Sequence, residues 1–249
     1  MKKILLSVLS LMLLSGSTQA HYLWIETAGN GQLNNPHHIK IRFGEYTYGV
    51  IEETSGEAFQ SVNNYDLWLL SPSGEKTALE STPRKDHYLA TFIPTETGTY
   101  TIALDNKQMQ VLDYSQYNIG IMKPQYHCKA RVVVGPDYTG TPATNPKGIE
   151  FVELSTNQYK VGNKVRLKVF FKGQALPKQE VTISVDDLWT RKARTDEQGE
   201  ITFNLPWQKL YTAETTYNEE VPGSFESIDY EYIWHCGTYC FTAIATNPF

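Results

Sequence analysis

The sequence predicts an all-β protein built from two Ig-like antiparallel β-sandwich domains in tandem. Three observations carry this expectation. Short segments rich in Val, Ile, Thr and Tyr alternate apolar with polar residues, the pattern of half-buried strands. No long stretch repeats its apolar residues with a helical period of about 3.6. Residues 135–148, with Pro136, Gly140, Pro142 and Pro146, divide the chain into two parts of ordinary domain size. The expected organisation is a signal peptide over 1–20, a first sandwich over 21–134, a linker over 135–148 and a second sandwich over 149–249.

In the first half, residues 38–43 and 66–70 read as strands, the second closed by the turn Ser71-Pro72-Ser73-Gly74. Residues 87–93 follow with Leu89 and Ile93 apolar, and then a turn and strand over 97–104. Residues 48–62, which hold Glu52, Glu53 and Glu57, suit a loop or a short helix. The bridge over 119–134 ends in Ala130-Arg131-Val132-Val133-Val134, a buried strand. In the second half Val165, Leu167, Val169 and Phe171 alternate with Lys164, Arg166 and Lys168, and Lys172-Gly173-Gln174 turns the chain. Val181, Ile183 and Val185 form the next inner face. The turn Thr195-Asp196-Glu197-Gln198-Gly199 precedes Ile201, Phe203 and Leu205, and a last strand covers 232–244.

Residues 1–20 have the make-up of a secretory signal peptide: Lys2 and Lys3, an apolar run over 4–14, then small polar residues up to Ala20. The run is too short to span a bilayer, which takes about 20 residues. A cut after Ala20 leaves 229 residues beginning with His21, although Ser15 and Ser17 also satisfy the small-x-small rule. Periplasmic or secreted localisation follows. Without Lys2 and Lys3 the formal charge falls from −5 to −7, a poor balance for nucleic-acid binding. In an oxidising compartment three cysteines suggest one disulfide and one free thiol. Cys236 and Cys240 on one strand would lie about 13 Å apart, too far to bond. Cys128 with either of them is therefore the expected pair.

An N-terminal His21 carries its chemistry in two donors. Its free α-amine and ring Nδ1 can close a chelate on one metal ion, and neutral imidazole suits Ni, Cu, Zn and Fe. Among the other five histidines, adjacent His37 and His38 point to opposite faces of a strand. His87 sits in a polar turn beside Asp86. His127 and His235 are each followed by a cysteine, Cys128 and Cys236. If those cysteines approach, the two histidines project together from the opposite face. His21, His127 and His235 are thus the expected metal ligands, for Ni, Co or Cu. There is no HExxH and no Gly-x-Ser-x-Gly elbow, so no enzyme is expected. Trp24, Trp68, Trp189, Trp207 and Trp234 could form a sugar platform, but in a sandwich they more often fill the core.

Several ordered motifs carry a resemblance: Ala20-His21-x-Leu23-Trp24, Phe43-Gly44-Glu45, Tyr126-x-Cys128-Lys129-Ala130, the run 161–167, the run 171–176, Thr195-Asp196-x-x-Gly199 and Trp234-x-x-x-Thr238. With them the chain resembles secreted two-domain proteins described as periplasmic accessory components of nickel or cobalt uptake, formally a domain of unknown function. The resemblance covers nearly all of 21–249. It implies binding of nickel or cobalt and a membrane metal transporter as partner. Some members carry a histidine where Glu45 stands here. The alternatives are a copper-binding histidine-brace protein, and a non-metal module for carbohydrate or a cell-surface partner.

Overall fold

The computed structural model describes residues 21–185 and 189–245. The expected signal peptide lies outside these residues. The regular structure of the described chain is nearly all β, in mostly antiparallel sheets, as the alternation predicts. Among the described residues no helix is long and apolar enough to cross a membrane.

A small sheet runs in the order Tyr22–Thr27, His37–Glu45, Tyr88–Phe92, Ser81–Pro83. Facing it is a sheet that crosses both halves of the chain. Its order is Trp189–Arg194, Glu180–Val185, Leu210–Glu219, Tyr232–Thr242, Ile121–Val134, Gly98–Asn106, Asp66–Leu70 and Lys76–Ala78. A third sheet pairs Ile149–Glu153 and Glu200–Asn204 with the two edges of Lys164–Phe171. Two apolar cores result. One gathers Leu23, Ile25, Ile41, Phe43, Tyr126 and Val132. The other gathers Phe151, Val165, Leu167, Val169, Ile183 and Phe241. Each half carries a tyrosine that pins a turn in the manner of Ig-like sandwiches. Tyr100 Oη accepts from the amides of Thr95 and Glu96 at 3.2 and 3.1 Å and donates to Glu96 O at 3.0 Å. Tyr211 Oη does the same at Trp207, with 2.9 and 3.0 Å.

The strands over Lys164–Phe171 and Glu200–Asn204 follow their alternation, with Val165 opposite Phe203 and Leu167 opposite Ile201. The ambiguous 48–62 stretch contains a one-turn helix, Glu57–Gln60. Two strands carried no alternating signal, Tyr22–Thr27 and Leu210–Glu219. The first is buried on both faces, so its residues need not alternate. The second lies inside the large sheet and holds Glu214 and three threonines beside Tyr211 and Ala213.

The halves meet where Ile121–Val134 and Tyr232–Thr242 pair in parallel, with His127 opposite Gly237 and Cys128 opposite Thr238. The expected linker, 135–148, forms no strand but lies packed across this seam. Thr141 and Asn145 are buried in it. The polar face of the long strand explains why. Lys129 and Arg131 are buried and need partners. Lys129 Nζ reaches Pro142 O at 3.0 Å and Glu150, and Arg131 Nη1 reaches Thr139 O at 3.2 Å. Gly140 lets the strap come this close, since a Cβ there would meet Glu153 O at 2.0 Å.

The parallel register also corrects the expected disulfide. Cys128, Cys236 and Cys240 are buried free thiols. Because Cys128 stands opposite Thr238, each other cysteine is two residues along the neighbouring strand. A strand spacing of about 4.8 Å with a rise of roughly 6.6 Å puts the Cα atoms about 8 Å apart. A disulfide needs under about 7 Å. Cys128 Sγ instead donates to Leu23 O at 3.2 Å, and Cys240 Sγ to Thr212 Oγ1 at 3.7 Å.

Candidate functional site

His21 enters at the edge of the small sheet. Tyr22 pairs with Gly44, which sets His21 beside Glu45. At Gly44 the chain has φ +144° and doubles back so tightly that a Cβ would meet Val50 O at 2.2 Å. Val50 and Ile51 then pair with Glu45 and Gly44, and the Glu52 amide donates to Phe43 O at 2.9 Å. This short hairpin delivers two carboxylates to one imidazole. His21 Nδ1 lies 3.2 Å from Glu45 Oε1, and Nε2 lies 2.7 Å from Glu52 Oε1. The Phe43 ring centroid is 5.4 Å from that of His21, and Tyr126 Oη donates to His21 O at 3.1 Å. The His21 side chain is 33% exposed and that of Glu45 only 7%. Glu45 Oε2 is buried with no hydrogen-bond partner. A carboxylate oxygen taken from water and left unmatched is costly unless a cation joins it.

His127 and His235 lie on the other side of the large sheet. Tyr126 faces His21 and the first core, so its neighbour His127 projects the opposite way. In the parallel register His127 stands opposite Gly237, and His235 two residues earlier on the same strand reaches across to it. Their ring centroids lie 5.4 Å apart with planes inclined by 22°, and His127 Nε2 is 3.1 Å from His235 Nδ1. His127 Nδ1 meets Asp105 Oδ1 at 2.7 Å, and His235 Nε2 meets Glu219 Oε2 at 3.1 Å. Burial pushes His235 down to about 4, helped by the charge of His127 and opposed by Glu219. Burial works to raise Asp105, yet His127 and Lys107 hold its carboxyl below the usual range. The structure therefore joins His127 to His235 and leaves His21 apart from both. The pairing of the histidines comes from the parallel strands and needs no disulfide.

His37 is buried against Thr27 Oγ1 at 2.8 Å, His38 is exposed at Thr91, and His87 meets Asp86 at 2.7 Å. Sequence reasoning missed Glu52, Asp105 and Glu219 as neighbours of the histidines. Gly44, six residues after His38 and just before Glu45, is the signal that could have placed Glu52. Among the described residues no three side chains of His, Cys, Asp or Glu are arranged to hold a metal ion by themselves. Of the five tryptophans Trp24 and Trp68 are buried, as expected in a sandwich, whereas Trp189 and Trp234 are half-buried and Trp207 is exposed. A cleft of about 730 Å³ is lined by Tyr65, Trp68 and Tyr88, where a carbohydrate would have to stack. Lys76 Nζ already covers the Trp68 ring at 4.1 Å.

No curated protein matches the chain. A solved structure, a DUF4785 family protein from Legionella pneumophila, is similar over 76% of this chain at 11% identity and a TM-score of 0.26. The match covers 51% of that protein, so the chain spans about half its length. Residues 18–219 match a domain of unknown function, DUF4198, and the chain belongs to that family.

Proposed function

We propose that the protein is exported and holds a divalent transition metal, nickel or cobalt, at His21, Glu45 and Glu52, for uptake or delivery through a membrane transporter. The observation that carries this reading is the unmatched Glu45 Oε2 beside an imidazole flanked by two carboxylates. The side chains alone do not complete a metal site. The missing donor is the α-amine, which cleavage after Ala20 would free. With it the donors become an amine, an imidazole nitrogen and carboxylate oxygens, a set suited to borderline divalent ions. The residue's partial exposure leaves the ion a way in and out. His127 and His235 are outside this site.

N-terminal sequencing of the exported protein, followed by calorimetry with Ni, Co and Cu, tests the reading. One residue added before His21 displaces the amine and keeps the imidazole, and it is expected to weaken binding at least tenfold. Equal affinity for parent and extended chain would sink the amine's role. Binding should also weaken as the pH falls, because both the ligating imidazole and the α-amine must be free of their extra protons. Copper is bound more tightly than nickel by most such donor sets, so the ion retained by protein isolated from cells, not relative affinity, names the cargo.

A further inference from the structure

We propose that His127 and His235 form a buried proton-binding site that joins the two halves of the molecule across the parallel strand pair. The proposal is independent of the metal reading of His21. Its basis is a count of protons. The contacts from Asp105 through His127 and His235 to Glu219 make three junctions, at 2.7, 3.1 and 3.1 Å. Each brings together two atoms that repel as lone pairs unless a proton lies between them. Two neutral imidazoles carry two protons and leave one junction bare. Two imidazolium rings carry four, so two N–H groups collide at the middle junction. Three protons, one net positive charge on the pair, satisfy all three junctions.

The surroundings favour that state. Asp105 and Glu219 stand at the two ends, each tied to a lysine: Lys107 at 2.9 Å from Asp105 Oδ2, and Lys172 ion-paired with Glu219. Asn145 Nδ2 donates to the same Asp105 Oδ1 at 3.1 Å and crowds His127 Nδ1 at 2.8 Å, the one neighbour that works against a proton there. Tyr217 stands opposite His235 on the neighbouring strand, and the Phe171 ring meets His235 edge-on at 5.2 Å. The Lys129–Glu150 ion pair lies on the same face of the long strand. A Cβ on Gly148 would come within 2.6 Å of His127 Nε2, so the backbone closes that side. Rings from two strands are thus held nitrogen to nitrogen in a buried layer that both halves supply.

The sign of the pH dependence follows. Unfolded histidines titrate near the reference value of about 6.5. The folded pair resists its fourth proton until the pH falls to about 4. Between these values the unfolded chain binds more protons, so folding weakens as pH falls, up to tenfold per pH unit for one proton. The pair's contribution to stability is therefore lost on the acid side.

The test is ¹⁵N-imidazole NMR of the full exported chain through a pH series, with denaturation curves at each pH. Near pH 6, three of the pair's four ring nitrogens should carry protons, one of them shared between the rings. Two neutral rings with a bare nitrogen at that pH would overturn the proposal. So would inner nitrogens that titrate only after a chelator strips a metal ion. His235→Gln should remove most of the acid-side slope in the folding equilibrium and leave metal binding at His21 unchanged; an unaltered slope would also overturn it. If His235→Gln does not fold, the spectra of the parent protein decide alone.

Discussion

His21 and His235 each lie between a carboxylate and a second ionisable group, yet their surroundings ask for different things. At His21 the geometry is open and unfinished: a third of the side chain is exposed, and a buried carboxylate oxygen has no partner. At His235 every ring nitrogen has a partner and the side chain is 1% exposed. The difference teaches how to separate a binding site from a structural network in a chain rich in both. Histidines and acids are common to the two. An unmet polar group that solvent can reach marks the first, and full internal satisfaction marks the second.

The contrast can be broken from the seam side with the largest effect on stability. Lys129→Met leaves Glu150 as an uncompensated charge in the buried layer beside the histidine pair. It should cost about 3–5 kcal/mol in denaturant unfolding, with metal affinity at His21 unchanged. A comparable loss of metal affinity would show that the two regions are not separable. Gly44→Ala attacks the other region. It forces a side chain into a backbone geometry with φ +144° and into the Val50 carbonyl. A loss of about 1–3 kcal/mol is expected from the strain, together with weakened nickel binding in calorimetry, because Glu52 can no longer be held at His21. Glu45→Gln should have the smallest effect on folding. It removes a buried charge that is poorly matched without metal, so stability should change by less than about 1 kcal/mol or rise. Nickel affinity should nonetheless fall at least tenfold, about 1.4 kcal/mol. A Glu45→Gln protein that binds as tightly as the parent would remove Glu45 from the site.

How much of this was legible beforehand depended on whether a feature was local. The strand Lys164–Phe171 was readable because one of its faces meets a core and the other meets water. Tyr22–Thr27 was not, because both of its faces are covered and burial then erases alternation. The juxtaposition of His127 and His235 was legible only as a consequence of their shared setting, each one residue before a cysteine. The route was different: the thiols do not bond, and the pairing register offsets them by two residues. The carboxylates around the histidines come from distant segments, Asp105 and Glu219 among them, and no local pattern announces a long-range pairing. Glu52 was nearer at hand, but its place depends on a two-residue strand that periodicity cannot detect.

The parallel pairing of Ile121–Val134 with Tyr232–Thr242 has a consequence for how the chain acquires its structure. The last strand also closes over the first: Thr238 Oγ1 donates to Leu23 O at 2.9 Å, across 215 positions of sequence. A chain emerging amino end first therefore cannot finish its earliest strand until almost all of it has appeared. Contacts of such separation slow the search for the native state. In the meantime the apolar run Tyr22-Leu23-Trp24-Ile25 stays uncovered. The interval between emergence and completion is when this molecule is most exposed to aggregation.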